Sequence, residues 1–168
     1  MNVSLRRARQ DDVDFLVELA NADDVVPFLA PLRPRDHEGI RAEVERSLDE
    51  PQAFGRFVVE VDGERAGTLA FSRWSEHSRI ADLFGLAFAA GFRGRGLAEE
   101  AARQFQRHLI HELGFHRLQL ECYGFNERAI RHAQRSGFIR EGVKRRAYWR
   151  DGDWHDGVLF GLVAEDLG

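Results

Sequence analysis

Gly91-Phe92-Arg93-Gly94-Arg95-Gly96 joins an apolar run, Leu83 to Ala90, to an amphipathic one. In the second run Leu97, Ala98, Ala101, Ala102, Phe105, Leu109, Ile110 and Leu113 recur at three- and four-residue spacing, which places them on one helix face. Gly114 stands where a left-handed C-terminal cap belongs. The segment therefore reads as strand, glycine-rich turn, helix. The first backbone N–H groups of a helix have no internal partner, and the helix dipole makes that end electropositive. Gly94 and Gly96 remove side chains that would bar close approach, and Arg93 and Arg95 add positive charge and forked donors. The chemistry expected of this combination is capture of a phosphate or pyrophosphate.

Two familiar phosphate sites do not fit. Gly91 and Gly96 have the P-loop separation, but Leu97 and Ala98 follow, so neither the lysine nor the magnesium-binding hydroxyl is there. A dinucleotide fingerprint needs Gly or Ala three residues beyond Gly96, and that residue is Glu99. The pattern that fits is Arg-x-x-Gly-x-Ala, at Arg93, Gly96 and Ala98. Here the chain resembles the GNAT superfamily of acyl-CoA-dependent N-acyltransferases, in particular its RimJ/RimL-type branch.

The elements that must position this turn follow from the pattern around it. Val3 to Ala8 is a first strand, and Asp11 or Asp12 caps a helix carrying Val13, Leu16, Val17 and Ala20. Pro27, Pro31 and Pro34 make the next stretch a loop, whose Phe28, Leu29 and Leu32 either wall a substrate pocket or simply connect. A second helix runs from about Asp36 to Leu48. Asp62-Gly63 between Phe57–Val61 and Arg65–Arg73 signals a hairpin, and Ile80 to Ala89 extends the sheet into the turn. Leu118, Leu120 and Cys122 alternate with Gln119, Glu121 and Tyr123 in a strand parallel to it, because a helix lies between them. Asn126 caps a short helix ended by Gly137, and Asp151-Gly152 turns a closing hairpin.

The resemblance runs from Ala81 to the end: Phe92 to Ala98, Gly114 to Arg117, Asn126 to Ala129, Gly137 to Gly142, then Asp151-Gly152 and Asp156. It implies one acetyltransferase domain over 1–168, an α/β fold with a mixed, mostly antiparallel sheet. Its central parallel strand pair would be splayed around an acyl-CoA cleft, with helices on both faces. Leu86, Ala87 and Phe88 would bond the pantetheine arm through main chain. Arg93, Gly94, Arg95, Gly96, Leu97 and Ala98 would hold the pyrophosphate, and Asn126, Ala129 and His132 would lie beside the arm. Acetyl-CoA would be the cosubstrate, with no metal. A main-chain N–H near Ala87 or Phe88 would steady the oxyanion.

A primary amine attacks only when neutral, so some base, directly or through water, must take its proton, and Glu121 and Asp82 are the leading carboxylates. The family's tyrosine acid falls at Ala133 and its serine alternative at Ala129, both inert. Tyr123, Cys122 and Ser136 are the nearby donors, with Tyr123 first. The expected acceptor is a protein N-terminus, a polyamine or another amine-bearing small molecule. A non-catalytic acyl-CoA sensor is the alternative.

With 168 residues, 43% hydrophobic and 31% charged, the chain is of ordinary globular composition. A net charge of −4 gives no global basic field for nucleic acid. A lone cysteine, Cys122, excludes an internal disulfide, and neither a signal peptide nor an apolar span is read, so a cytoplasmic protein away from membranes is expected. His108, His111 and Glu112 read as a solvated face rather than a metal site. Tyr148, Trp149 and Trp154 are read as closing the core or a homodimer contact.

Overall fold

The computed structural model describes residues 1–167. Its strands are β1 (Val3–Arg7), β2 (Phe54–Val61), β3 (Glu64–Ser75), β4 (Ile80–Phe88), β5 (Arg117–Tyr123), β6 (Ile139–Arg150) and β7 (Asp153–Val163). The helices are α1 (Val13–Ala20), α2 (His37–Asp49), α3 (Leu97–Arg107) and α4 (Glu127–Arg135). One sheet holds all the strands in the order β1-β2-β3-β4-β5-β7-β6. Every neighbouring pair is antiparallel except β4 and β5. This is the mixed, mostly antiparallel α/β sheet expected from the sequence.

Strand alternation divides the sheet into two faces. On one, Phe57, Val59, Leu69, Phe71, Ala81, Leu118 and Phe160 pack under Leu97, Ala101, Phe105 and Leu109 of α3 and Ala133 of α4. On the other, Ala8 and Val58 meet Val13 and Leu16 of α1 and Ile40 and Val44 of α2. Both hairpins turn where Asp-Gly predicted. Asp62 and Gly63 have φ of 51° and 84°, and Asp151 and Gly152 have 52° and 80°, the left-handed pair that such turns require.

Three local expectations are corrected. The helix after Gly96 is not α-helical to Leu113: α3 ends at Arg107 and a π turn spans His108–Glu112. Both Leu109 and Ile110 of this turn are buried in the core. Asp12 precedes α1 but does not cap it. Its fully buried carboxylate instead accepts from Arg6 Nη1 and Nη2 (2.7 and 2.8 Å), the Arg9 N–H (2.7 Å) and Arg65 Nε (2.8 Å). Burial alone would raise its pKa, but those hydrogen bonds prevail and hold it well below the ordinary carboxylate range. Finally, Trp149 and Trp154 do not close the core: they pack on each other at 5.1 Å and stay 59% and 47% exposed.

Candidate functional site

The site begins where two strands part. β4 and β5 are paired only over Ile80–Asp82 and Arg117–Gln119. Beyond that point β4 stays with β3 and β5 with β7, so a gap opens between them. A bulge helps to part them. Thr68 faces Ala87 and Ala70 faces Phe84, so Gly85 and Leu86 share the place opposite Leu69. Gly85 has φ +69°, and a Cβ there would lie 2.9 Å from Arg56 Nη1, so only glycine fits this bend.

The ladder decides which β4 groups look into the gap. Ala89 N–H donates to Ala66 O on β3 (2.9 Å), so alternation turns the N–H and C=O of Phe88 to the other edge. Accordingly, Phe88 O accepts from Arg93 Nε at 2.9 Å. Ala87, opposite Thr68, turns its own N–H toward β3. Of the two N–H groups expected to serve an oxyanion, that of Phe88 is on the open edge and that of Ala87 is not. Leu86 is 40% exposed at the bulge, while the Phe88 ring is buried in the core.

The gap leads to the head of α3. Gly94 and Gly96 have φ of 77° and 74°, and a Cβ on either would meet nothing within 4 Å, so the space in front of them is open. No side chain caps α3 among the described residues. The first intrahelical bond is Glu100 N–H to Gly96 O (3.2 Å), which leaves the N–H groups of Leu97, Ala98 and Glu99 ahead of it. This open, glycine-lined, uncapped helix end fits a diphosphate. The arginines serve the loop itself: Arg93 ion-pairs with Asp24 of the α1–α2 connection, and Arg95 folds back to donate to Gly91 O. Glu99 turns sideways, 3.8 Å from Arg135 of α4.

Across the gap Asn126 caps α4, its Oδ1 accepting from Ala129 N–H at 3.1 Å, as its position before the helix predicted. Ala129 is half-buried one turn from His132. Burial pulls the His132 pKa down, against an opposing pull from Glu99, and the ring lies 3.4 Å from Ser136 Oγ. Ala133, where the family's tyrosine would fall, is 1% exposed in the core and offers no proton. Cys122 also faces the α3 side, and burial, aided by the Glu121 charge, pushes its thiol up to about 11.

Asp82, Glu121 and Tyr123 lie on the opposite face of β4 and β5, since their neighbours Ala81, Leu83, Leu120 and Cys122 pack toward α3 and α4. Asp82 Oδ1 accepts from Gln119 Nε2 at 2.7 Å, at the last paired position before the strands part, and Oδ2 has no hydrogen bond among the described residues. Glu121 is differently placed: its Oε1 accepts from Lys144 Nζ at 3.0 Å. That ion pair ties Glu121 to β6, whereas Asp82 stands at the apex of the gap, which puts Asp82 first as the candidate base. The Tyr123 ring stacks on Phe125 at 5.0 Å, and its oxygen accepts from Arg150 Nη1 at 3.0 Å, leaving the hydroxyl hydrogen free to donate. Arg150 also donates to Leu29 O and to Val26 O, tying the α1–α2 connection down.

Sequence reasoning missed a recess beneath that connection. Arg33, Glu43 and Arg56 reach it from three elements, and Gly85 and Ala87 form part of its wall. Arg56 Nη2 donates to Glu43 Oε1 at 3.0 Å. The available signal was Arg56, a charged residue set between Phe54-Gly55 and the apolar run Phe57–Val59. Of the residues expected in a pocket wall, Leu29 lines the recess. Phe28 packs instead on Phe125 at 6.1 Å, and Leu32 is 97% exposed. Elsewhere His108 Nδ1 pairs with Glu112 at 3.0 Å. Among the described residues no group of three or more His, Cys, Asp or Glu is placed to hold a metal, and no helix is long and apolar enough to cross a membrane.

A splayed strand pair leading to an uncapped helix start, with a carboxylate at its apex and a tyrosine beside it, suits acyl transfer from a phosphate-bearing carrier. Residues 2–139 match the family described as Acetyltransferase (GNAT) domain. An uncharacterised N-acetyltransferase of Bacillus subtilis, derived from the SPbeta prophage, is 28% identical over 99% of this chain and 92% of its own length. Spermidine N(1)-acetyltransferase of Escherichia coli is 28% identical over 94% of this chain and 83% of its own. The ribosomal-protein α-N-acetyltransferase RimL, solved in complex with coenzyme A, superposes with a TM-score of 0.85 at 21% identity, covering 99% of this chain and 96% of that one. The chain belongs to the GNAT acetyltransferase family and is an acyltransferase that acts on amines.

Proposed function

We propose that residues 1–168 form a single domain that transfers an acetyl group from acetyl-CoA directly to a primary amine, of a protein N-terminus or of a small molecule. The observation that carries this reading is the gap that opens beyond Asp82 and Gln119 and ends at the bare head of α3. RimL modifies a ribosomal protein and the E. coli relative acts on spermidine, so both acceptor classes occur among similar proteins.

The pantetheine arm fits along the open edge of β4 at Leu86 and Phe88, beside Asn126, Ala129 and His132. The diphosphate fits Gly94, Gly96 and the N–H groups of Leu97 and Ala98, with Arg93 and Arg95 shaping the loop. Acetyl-CoA supplies an activated acyl carbon and a thiolate leaving group. Phe88 N–H donates to the carbonyl oxygen as that oxygen gains charge. Asp82 takes the amine proton, directly or through one water, on its uncommitted Oδ2. Tyr123 gives its hydroxyl proton to the departing sulfur, and the adjacent Arg150 guanidinium stabilises the phenolate left behind.

Release of free thiol from acetyl-CoA in the presence of an amine panel tests the proposal. Tight CoA binding with no thiol release on any amine would overturn it in favour of a sensor. Within that assay Asp82→Asn should lower kcat by about 100-fold or more and remove the acidic limb of its pH profile. Glu121→Gln should leave the limb in place, because its carboxylate serves Lys144. The opposite pattern would make Glu121 the base.

A further inference from the structure

The recess under the α1–α2 connection holds a cation without a partner. Arg33 is half-buried, with its guanidinium carbon 3.6 Å from the centre of the Phe84 ring. Among the described residues that guanidinium makes no hydrogen bond and no ion pair. The charged groups around it are Glu43, Arg56 and Asp82. Glu43 is engaged by Arg56, both nearly buried, and Asp82 accepts from the neutral Gln119 through Oδ1 alone. Burial lowers the Arg33 pKa, yet a guanidinium stays charged at any physiological pH. A half-buried cation with an idle fork of donors is matched by an oxyanion, and by a carboxylate most closely. The recess reaches Ala87, next to the Phe88 N–H that faces the gap.

We propose that Arg33 is a specificity-determining residue that binds a carboxylate of the acceptor, so that the preferred substrate is an amine carrying a carboxylate within reach. This rests on the acetyl-transfer reading above and narrows its acceptor. The fork gives two parallel N–H···O bonds, and Phe84 fixes its plane. A polyamine has the wrong sign for this position: its distal ammonium would meet Arg33, Glu43 is paired with Arg56, and Asp82 is the base that takes the proton of the reacting amine. The carboxylate can come from a free amino acid or from an acidic side chain near a peptide N-terminus, since the recess sees only the group.

The test pairs each carboxylate-bearing amine with its neutral amide. Free amino acids and short acidic peptides form separate arms, and spermidine is included. Thiol release should give a kcat/KM for the acid at least tenfold above that for the amide, with spermidine poorest. Arg33→Ala should lower kcat/KM for the acid on the order of 10- to 100-fold, chiefly through KM, and erase the preference. Arg33→Lys, which keeps the charge and loses the fork, should restore part of it. Calorimetry of the same pairs on CoA-saturated protein reads acceptor binding without turnover, so a failure of catalysis is told apart from a failure of recognition. CoA affinity should be equal in all the variants. Equal use or equal binding of acid and amide by the unaltered protein, a preference for spermidine, or an Arg33→Ala loss of the same size for every acceptor would overturn the assignment.

Discussion

Gly96→Glu should abolish coenzyme A binding. The residue has φ +74° and open space before it, immediately ahead of the free N–H groups of Leu97 and Ala98. A glutamate there places bulk and a negative charge where two phosphates must lie. Like-charge juxtaposition costs several kcal/mol, and each 1.4 kcal/mol is about tenfold in affinity, so a loss of well over 100-fold is expected by calorimetry. The backbone strain of a left-handed non-glycine residue is a separate effect, and Gly63→Glu isolates it. Gly63 has φ +84°, and a Cβ there would also meet nothing within 4 Å, but it sits at the β2–β3 turn. That variant should lose stability and keep its affinity. Undiminished CoA binding by Gly96→Glu would remove the phosphate site from the head of α3.

The largest stability effect is expected at Asp12. Asp12→Ala leaves Arg6 and Arg65 without their shared anion and the Arg9 N–H without an acceptor. Removing one partner of a buried ion pair costs about 3–5 kcal/mol. For a chain of this size each kcal/mol moves the melting midpoint roughly 2–4 °C, so a fall on the order of 10 °C is expected in a thermal melt. A fall of under about 2 °C would show that the cluster contributes little. The pH dependence has a definite sign. The folded-state pKa lies below the unfolded one, so the stabilisation is complete above the unfolded value, about 3.9, and is lost as pH falls from there toward the folded value. Acid melts should therefore separate the unaltered protein from Asp12→Ala near neutrality and bring them together at low pH.

Features set by neighbouring residues were legible in the sequence. Asp62-Gly63 and Asp151-Gly152 turn hairpins because Asp and Gly tolerate left-handed backbone, and Asn126 caps α4 because its side chain reaches the N–H three residues on. Glycines before a helical period marked the turn from β4 into α3 for the same local reason. What stayed hidden depends on partners far along the chain. Asp12 looked like a cap, because nothing local shows that Arg65 arrives beside it from β3. Nothing local shows that β6 brings Lys144 to Glu121. The recess needs Arg33, Glu43 and Arg56 from a loop, a helix and a strand, and no periodicity records their meeting. The π turn was masked because Leu109 and Ile110 suit an α-helical stripe nearly as well.

Arg150 makes the α1–α2 connection depend on the closing β6–β7 ribbon. It stands beyond residue 139, where the family match ends, yet it holds Val26 and Leu29, more than a hundred positions earlier, against Tyr123. Contacts of such sequence separation close slowly, since the intervening chain must be ordered first. The core under α3 also takes Val158 and Phe160 from the closing ribbon, so docking of that ribbon completes both the α3 side and the α1–α2 connection.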